Sequence, residues 1–357
     1  MTDIVPRIVG LATARPTQDI HDAFVDWAQS RIEDPRERAI FARMAGRAGI
    51  AHRYAVLPTA PDGGSPVSPG GFYAGADPTT AARMALYAEH APALALQAIA
   101  GLDQDLSQVT HLVVASCTGF VAPGVDQIIA RQLGLAPSVE RLLVGFMGCY
   151  AAVTALRSAA HIVRSQPEAR VLVVTVELSS LHLNRTGSIE SLLAMLQFGD
   201  GAAAALVCGS GSGLSVEAPF ATTLPASEDL IRWDIGDHGF LMHLSGQVPG
   251  RIAEALRDPE LVATLAGGAP DDVDAWAVHA GGRSILDAVE HGLSLSPEAL
   301  AESREVLLEG GNMSSATLMF VLARMMARTK ERPVARGVAL AFGPGLAAEG
   351  FRFRAVG

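Results

Sequence analysis

Five short apolar runs punctuate the chain: HLVVAS (111–116), ARVLVVTVE (169–177), AAAALVCG (202–209), AWAVHAG (275–281) and GVALAFG (337–343). Rich in valine, leucine and alanine and without polar alternation, they have the pattern of strands buried on both faces. Between them lie longer stretches of helical character at 79–102, 125–135, 151–164, 248–258, 283–293 and 297–310. Strands alternating with helices on this scale predict an α/β layered fold with mostly parallel strands. GSGSG at 209–213 follows one strand and precedes another strand-like run, LSVEAPF. A glycine loop that cradles phosphate opens a helix, so this one is a turn near the junction of two halves. The Gly/Pro/Ser-rich LPTAPDGGSPVSPGG (57–71) is predicted to be a surface loop.

Composition narrows the class. With 357 residues, 49% of them hydrophobic and 18% charged, the chain suits one large or two fused globular domains and not a disordered segment. No apolar run approaches the roughly 18 residues of a membrane helix, so no membrane insertion is expected. MTDIVPRIVG lacks the basic-then-apolar layout of a secretory signal. Cysteines at 117, 149 and 208 form neither a disulfide framework nor a CxxC metal pattern, which predicts a reducing, cytoplasmic setting. A formal charge of −10 argues against nucleic-acid binding. One local patch runs the other way: RERAIFARMAGRAGIAHR (36–53) holds five arginines and one acid. Arg43 and Arg47, four residues apart, share a face if this segment is helical, either as a solvated surface or as a grip on an anionic ligand.

Chemistry enters at Cys149. The apolar run RLLVGFMG leads into it, and the helical stretch AAVTALRSAAHIVR follows. A cysteine at a helix N-terminus meets unsatisfied N–H groups and the positive end of the dipole, which favour thiolate. Free cysteine is also a commonly buried residue, so a packing role stays open on this feature alone. His279 ends the strand AWAV ahead of two glycines, and Asn312 lies in EGGNMSSATL ahead of a helical run, as a catalytic donor or as a helix N-cap. Together they make a Cys/His/Asn set unlike the local signatures of cysteine proteases. Cysteine supplies a nucleophile, an imidazolium stabilises its thiolate, and histidine and asparagine N–H groups can converge on one oxyanion. That set suits carbon–carbon bond formation by decarboxylation without a metal. No HExxH or carboxylate–histidine cluster points to a metal site; His238 and His243 are scattered singles.

GFMGCYAAV, VHAGGRSILDAVE, GNMSSATLMFVL and AFGPGL resemble the nucleophile, histidine, asparagine and cyclisation-loop motifs of bacterial-type type III polyketide synthases, the chalcone synthase-like branch of the thiolase superfamily. THLVVASCTGFVAPGVDQIIARQLGL and QFGDGAAAALV extend the resemblance over nearly the whole chain. It implies a thiolase-like α/β fold of five layers, α-β-α-β-α, made of two similar halves at 1–212 and 213–357. It further implies a cytoplasmic homodimer that uses acyl-CoA and malonyl-CoA as substrates and needs no cofactor.

Residue by residue, the resemblance makes Cys149 the acyl-carrying nucleophile, and His279 and Asn312 its activating and carbonyl-holding partners. Phe198 matches a gatekeeper between the CoA tunnel and the cavity, and Arg43 and Arg47 match residues that hold CoA phosphates. Several positions depart from the plant pattern. A third basic position is Ile40, the second gatekeeper aromatic is Met242, the interface-loop methionine is Ala122, and the proline after the histidine is Ala280. Cys117 replaces a threonine beside Thr118 as a structural or cavity-lining thiol, and Ser179 is small where a tunnel could widen. These changes favour an aliphatic starter and an alkylpyrone or alkylresorcinol product. A malonyl-primed synthase of a polyhydroxylated aromatic, a single-condensation ketoacyl-ACP synthase III-like enzyme and a catalytically silent thiolase-fold scaffold are the alternatives.

Overall fold

The computed structural model describes residues 4–357. All five apolar runs become strands: His111–Ser116, Val171–Leu178, Asp200–Cys208, Ala275–Val278 and Gly337–Gly343. Their continuous hydrophobicity has a direct cause. Val171 and Val173 enter one apolar cluster while Leu172, Val174 and Val176 enter another, so both faces of the strand are covered.

The first sheet has seven strands, ordered Ala355–Val356, Gly213–Ser215, Arg7–Ala14, Asp200–Cys208, Val171–Leu178, His111–Ser116 and Glu140–Gly145. The second has four: Ala275–Val278, Gly337–Gly343, Ala347–Phe353 and Glu217–Thr223. Helices Ala151–Ser165 and Ala316–Arg328 pack between the two sheets. Ala151, Ala152, Ala155, Ala159 and Ala160 are all fully buried, and side chains this small let a helix lie between two sheets. The long helix Thr80–Ala100 covers the outer face of the first sheet, and Pro259–Ala266 and Ala301–Gly310 contact the second. The result is the five-layered, thiolase-like α/β arrangement.

Three expectations change. The sheets are mixed and not mostly parallel: of the nine pairings within the two large sheets, only His111–Ser116 with each neighbour and Ala275–Val278 with Gly337–Gly343 run parallel. A strand buried on both faces carries the same residues in either direction, so periodicity does not distinguish them. Residues 57–71 are irregular, yet Leu57 and Ala60 are only 3% exposed and Ser65, Pro66 and Val67 wall a cavity, so the segment is structural and not merely a surface loop. The helix in the arginine patch, Pro35–Ala45, stops before Arg47; both Arg43 and Arg47 are exposed, but they do not share one continuous helix face.

Candidate active site

Cys149 sits in a single 3-10 turn, Gly148–Tyr150, between the edge strand Glu140–Gly145 and the buried helix Ala151–Ser165. The chain reverses there through positive φ at Phe146 (57°) and Gly148 (77°). Glycine is required at 148 for a second reason: a Cβ would lie 2.5 Å from Pro344 Cδ. The AFGPGL segment thus packs directly under the nucleophile turn, and a Cβ on Gly343 would come within 3.3 Å of the Cys149 backbone nitrogen.

Cys149 is half-buried, but its thiol does not show the depression expected at a helix N-terminus. Burial pushes it up to about 12; Ser314 favours the thiolate, Glu177 opposes it, and Asn312 favours it. Desolvation outweighs the local donors, which corrects the expectation drawn from the helix N-terminus alone.

His279 directly follows the strand Ala275–Val278 and is 1% exposed, with neither ring nitrogen hydrogen-bonded within the protein. Burial lowers its pKa to about 3, so the resting imidazole is neutral. Asn312 is fixed by its carbonyl: Oδ1 accepts the Ser314 N–H at 2.8 Å and the Thr317 hydroxyl at 3.5 Å. Its amide therefore faces the other way and donates to Gly281 O at 3.1 Å. The cap of the following helix is Ser315, so the N-cap role considered for Asn312 falls away. Gly281 joins the two partners, since a Cβ there would lie 3.5 Å from His279 Nε2. Cysteine, neutral imidazole and an amide with a spare N–H are thus brought together from three distant segments.

Sequence reasoning missed a polar network beneath the nucleophile. Glu177, fully buried at the end of Val171–Leu178, accepts from Cys117 N–H (3.0 Å), the Thr118 hydroxyl (2.8 Å) and the Ser315 hydroxyl. The Cys117 thiol lies 3.3 Å from Glu177 Oε1 and 3.1 Å from the Ser314 hydroxyl, which in turn is 3.9 Å from Cys149 Sγ. Burial holds the Glu177 pKa above the ordinary carboxylate value, and the donors from Ser315, Cys117 and Thr118 only partly offset it. The only sequence signal was a carboxylate inside an otherwise apolar run, VTVEL, because a buried charge needs such a set of partners.

A cavity of about 410 Å³ is lined by Phe198, Met242 and Ser179, three of the predicted cavity residues. Cys149, His279 and Asn312 are not part of its wall. Phe198 links the two places, because its segment pairs with Asn312 through Asn312 N–H to Gln197 O (2.7 Å) and Gly199 N–H to Asn312 O (3.0 Å). Cys117 and Thr118 are buried outside the cavity, and Ala122 is exposed on the single chain. Space beside Cys117 is filled by Trp233, whose Nε1 donates to Cys117 O at 3.0 Å, and by His182 stacked on Phe240 at 4.0 Å. The open volume instead extends toward Ile20, Ala23, Phe24, Leu57 and Val67, a wall the motifs did not reveal.

Three buried neutral histidines make stability sensitive to acid. His182 and His279 have folded pKa values near 3 and His21 one of about 4, against 6.5 unfolded, so the unfolded chain binds more protons between those limits and stability falls as pH drops through that window. Each costs about 2 kcal/mol between pH 7 and pH 5. Asp200, raised to about 6 by burial, has the opposite sign and returns about 1 kcal/mol over the same interval. Urea unfolding checks this: His279→Asn should lose about 2 kcal/mol less than wild type from pH 7 to pH 5. Equal losses would show that the imidazole is not buried neutral.

A five-layered fold with a cysteine, a histidine and an asparagine gathered at the ends of its core elements defines a condensing enzyme of the thiolase-like kind. Residues 7–212 match the N-terminal domain of chalcone and stilbene synthases, and residues 215–357 match their C-terminal domain. The chain belongs to the chalcone and stilbene synthase family: it is a type III polyketide synthase, an acyltransferase-type enzyme. An alpha-pyrone synthesis polyketide synthase-like protein of Mycobacterium tuberculosis, Pks18, is 34% identical, covering 98% of this chain and 91% of the relative. The crystal structure of PKS-I from the brown alga Ectocarpus siliculosus superposes with a TM-score of 0.88 at 30% identity, covering both chains completely. The C-terminal type III polyketide synthase domain of Steely1 from Dictyostelium gives the same TM-score at 27% identity, covering 99% of this chain and 100% of the domain. Membership of the family sets aside the carrier-protein-dependent and scaffold alternatives. Among the described residues, no helix is long and apolar enough to cross a membrane.

Proposed function

We propose that Cys149 takes an acyl group from a starter CoA thioester and that malonyl-CoA extends it by decarboxylative Claisen condensation, the product closing to an alkylpyrone-type ring. One observation carries this reading: a buried imidazole with both nitrogens unpartnered stands beside an amide whose orientation is locked with an N–H to spare. Orphaned donors in a dry site await an oxygen that develops charge.

In loading, Cys149 Sγ attacks the thioester carbonyl and its proton passes to His279. The CoA thiolate leaves and recovers that proton. Malonyl-CoA then loses CO₂, and the electron pair of the broken bond becomes an enolate whose oxygen accepts from His279 and Asn312. Enolate carbon attacks the Cys149 thioester, and the thiolate departs. A site with neutral resting groups suits this order, since charge appears only once substrate has closed off water.

Arg43 and Arg47 are exposed and absent from the chain's ion pairs among the described residues, which supports a role for them in meeting CoA phosphates. The CoA esters are the only small molecules this scheme requires. The chain divides functionally at 212/213, supported by the turn between Cys208 and Gly213 and by the boundary between the two matched domains. A homodimer is supported by the edge strand Glu140–Gly145, where Leu142, Leu143, Phe120 and Phe146 are 39–50% exposed, an apolar edge that a second copy would cover. Ala122 lies in the loop beside Phe120, where it would face that copy. Three free cysteines suit a reducing cytoplasm.

An α-pyrone product is supported by the relative named for α-pyrone synthesis. Incubation with malonyl-CoA and a ladder of acyl-CoA starters from acetyl to palmitoyl tests the reading, with products identified by mass spectrometry. Pyrones bearing the starter's alkyl chain are expected. Polyhydroxylated aromatics from malonyl-CoA alone, with no incorporation of any starter, would overturn the product assignment.

A further inference from the structure

A second cavity, of about 360 Å³, lies at the far end of the four-stranded sheet from the catalytic residues. Val273 and Gly337 wall it where the strands Ala275–Val278 and Gly337–Gly343 begin. His279 follows the end of the first strand, and Gly343, against the Cys149 turn, ends the second. The charged groups of the wall are Arg336, Arg352, Arg354 and Glu217. Three guanidinium groups against one carboxylate make a basic site in a chain of net charge −10.

Arg354 Nε donates to Glu217 Oε1 at 2.9 Å, and Arg336 Nη1 reaches Asp272 Oδ2 at 3.4 Å. Both arginine side chains are about half exposed, so neither pair contributes much stability. Asp274 Oδ2 is occupied by the N–H groups of Ala335 and Arg336. Arg352 is half-buried and makes no hydrogen bond or ion pair among the described residues. Its guanidinium is nonetheless held in place: a Cβ on Gly267 would overlap Arg352 Nη1, and one on Gly268 would lie 2.9 Å from Arg336 Nη2. Two cations thus converge on adjacent glycines, whose Cα atoms are only about 3.8 Å apart. The C-terminal end of helix Pro259–Ala266, just before Gly267, offsets part of that charge through its dipole, but none of its carbonyls accepts from Arg352. The backbone is bent at the same place. Gly350 pairs with Phe220 and Arg352 with Glu217, so Glu217–Thr223 carries an extra residue there, and Ala218, on the cavity wall, takes a φ of 40°. Such a bulge re-aims side chains, and a left-handed alanine is a local cost that functional sites commonly carry.

We propose that this cavity binds a phosphate group, which Arg352 and Arg336 hold with their guanidinium forks. The site is separate from Arg43 and Arg47: Arg47 O accepts from Arg283 Nη1, four residues beyond His279, which puts that patch at the catalytic end of the sheet. The phosphate has two sources, the free inorganic ion or a nucleotide whose remaining atoms lie against Ala266, Val273 and Val338.

Titration calorimetry with inorganic phosphate and with AMP, at constant ionic strength, tests the site. Wild type is compared with Arg43→Ala/Arg47→Ala and with that double variant carrying Arg352→Met as well. Binding should survive Arg43→Ala/Arg47→Ala and weaken about tenfold or more when Arg352→Met is added, because charge-assisted hydrogen bonds are lost. AMP binding more tightly than phosphate identifies a nucleotide as the ligand; AMP binding no more tightly identifies the free ion. Should Arg352→Met fail to fold, Arg336→Met decides, since Arg336 is half exposed and lies outside the strands. No binding of either ligand by wild type overturns the proposal. So does binding that Arg43→Ala/Arg47→Ala abolishes, or that the added variant weakens less than tenfold; Arg352 is then only a cation at a helix C-terminus.

Discussion

Cys149→Ala yields a folded protein that takes up no acyl group from acyl-CoA and forms no extended product. The fold should survive, because Cys149 is half-buried, its contact with the Ser314 hydroxyl is long at 3.9 Å, and the helix behind it is held by fully buried alanines. Intact-mass spectrometry after incubation with an acyl-CoA reads the loss directly, and circular dichroism checks the fold. Cys117 sharpens the test, since both thiols approach the same Ser314 hydroxyl. Cys117, 4% exposed, is held well above the ordinary thiol range, first by burial and then by the Glu177 charge. It is therefore a poor nucleophile. Acylation persisting in Cys149→Ala, mapped to Cys117, would sink the nucleophile assignment.

Asn312 offers the second large effect, and its geometry allows a cleaner variant than alanine. In Asn312→Asp the oxygen that accepts from Ser314 N–H and the Thr317 hydroxyl is retained, so the local turn should persist. What disappears is the amide donor, replaced by a second carboxylate oxygen near the place where the enolate develops. Loss of one preorganised oxyanion donor costs about 10²–10³ in rate, and the added charge makes this the lower bound. Release of labelled CO₂ from malonyl-CoA should fall by at least that factor while acylation of Cys149 continues. An undiminished rate of CO₂ release would mean that Asn312 only shapes the backbone turn.

Much of the architecture is legible in the sequence because hydrophobic burial is local information. Continuous runs such as LVVAS and VLVVTV can be accommodated only where both faces are covered, and each became a buried strand. Strand direction is not local. Arg7–Ala14 pairs antiparallel with Asp200–Cys208, nearly two hundred residues away, and nothing in either segment names its partner. Helix extent depends on neighbours in the same way: the spacing of Arg43 and Arg47 invites one helix, but Pro35–Ala45 ends between them.

The same division runs through the site. Sequence by itself determined the kind of chemistry available, because a cysteine after a strand, a histidine before paired glycines and an asparagine in GNMSS bring a nucleophile and two donors whatever surrounds them. It also sufficed to assign the family. Only tertiary structure decided the protonation of those groups, since burial, a property of the assembled layers, pushes Cys149 up to about 12 and His279 down to about 3. Only tertiary structure placed the open volume as well. The replacements at Met242, Ala122 and Ser179 pointed to added room, whereas Trp233, His182 and Phe240 fill the space beside Cys117 and the cavity runs on toward Arg53 and residues 57–67. Free volume belongs to no single residue: it is what remains after side chains from distant segments have packed, and so it exists only in the folded chain.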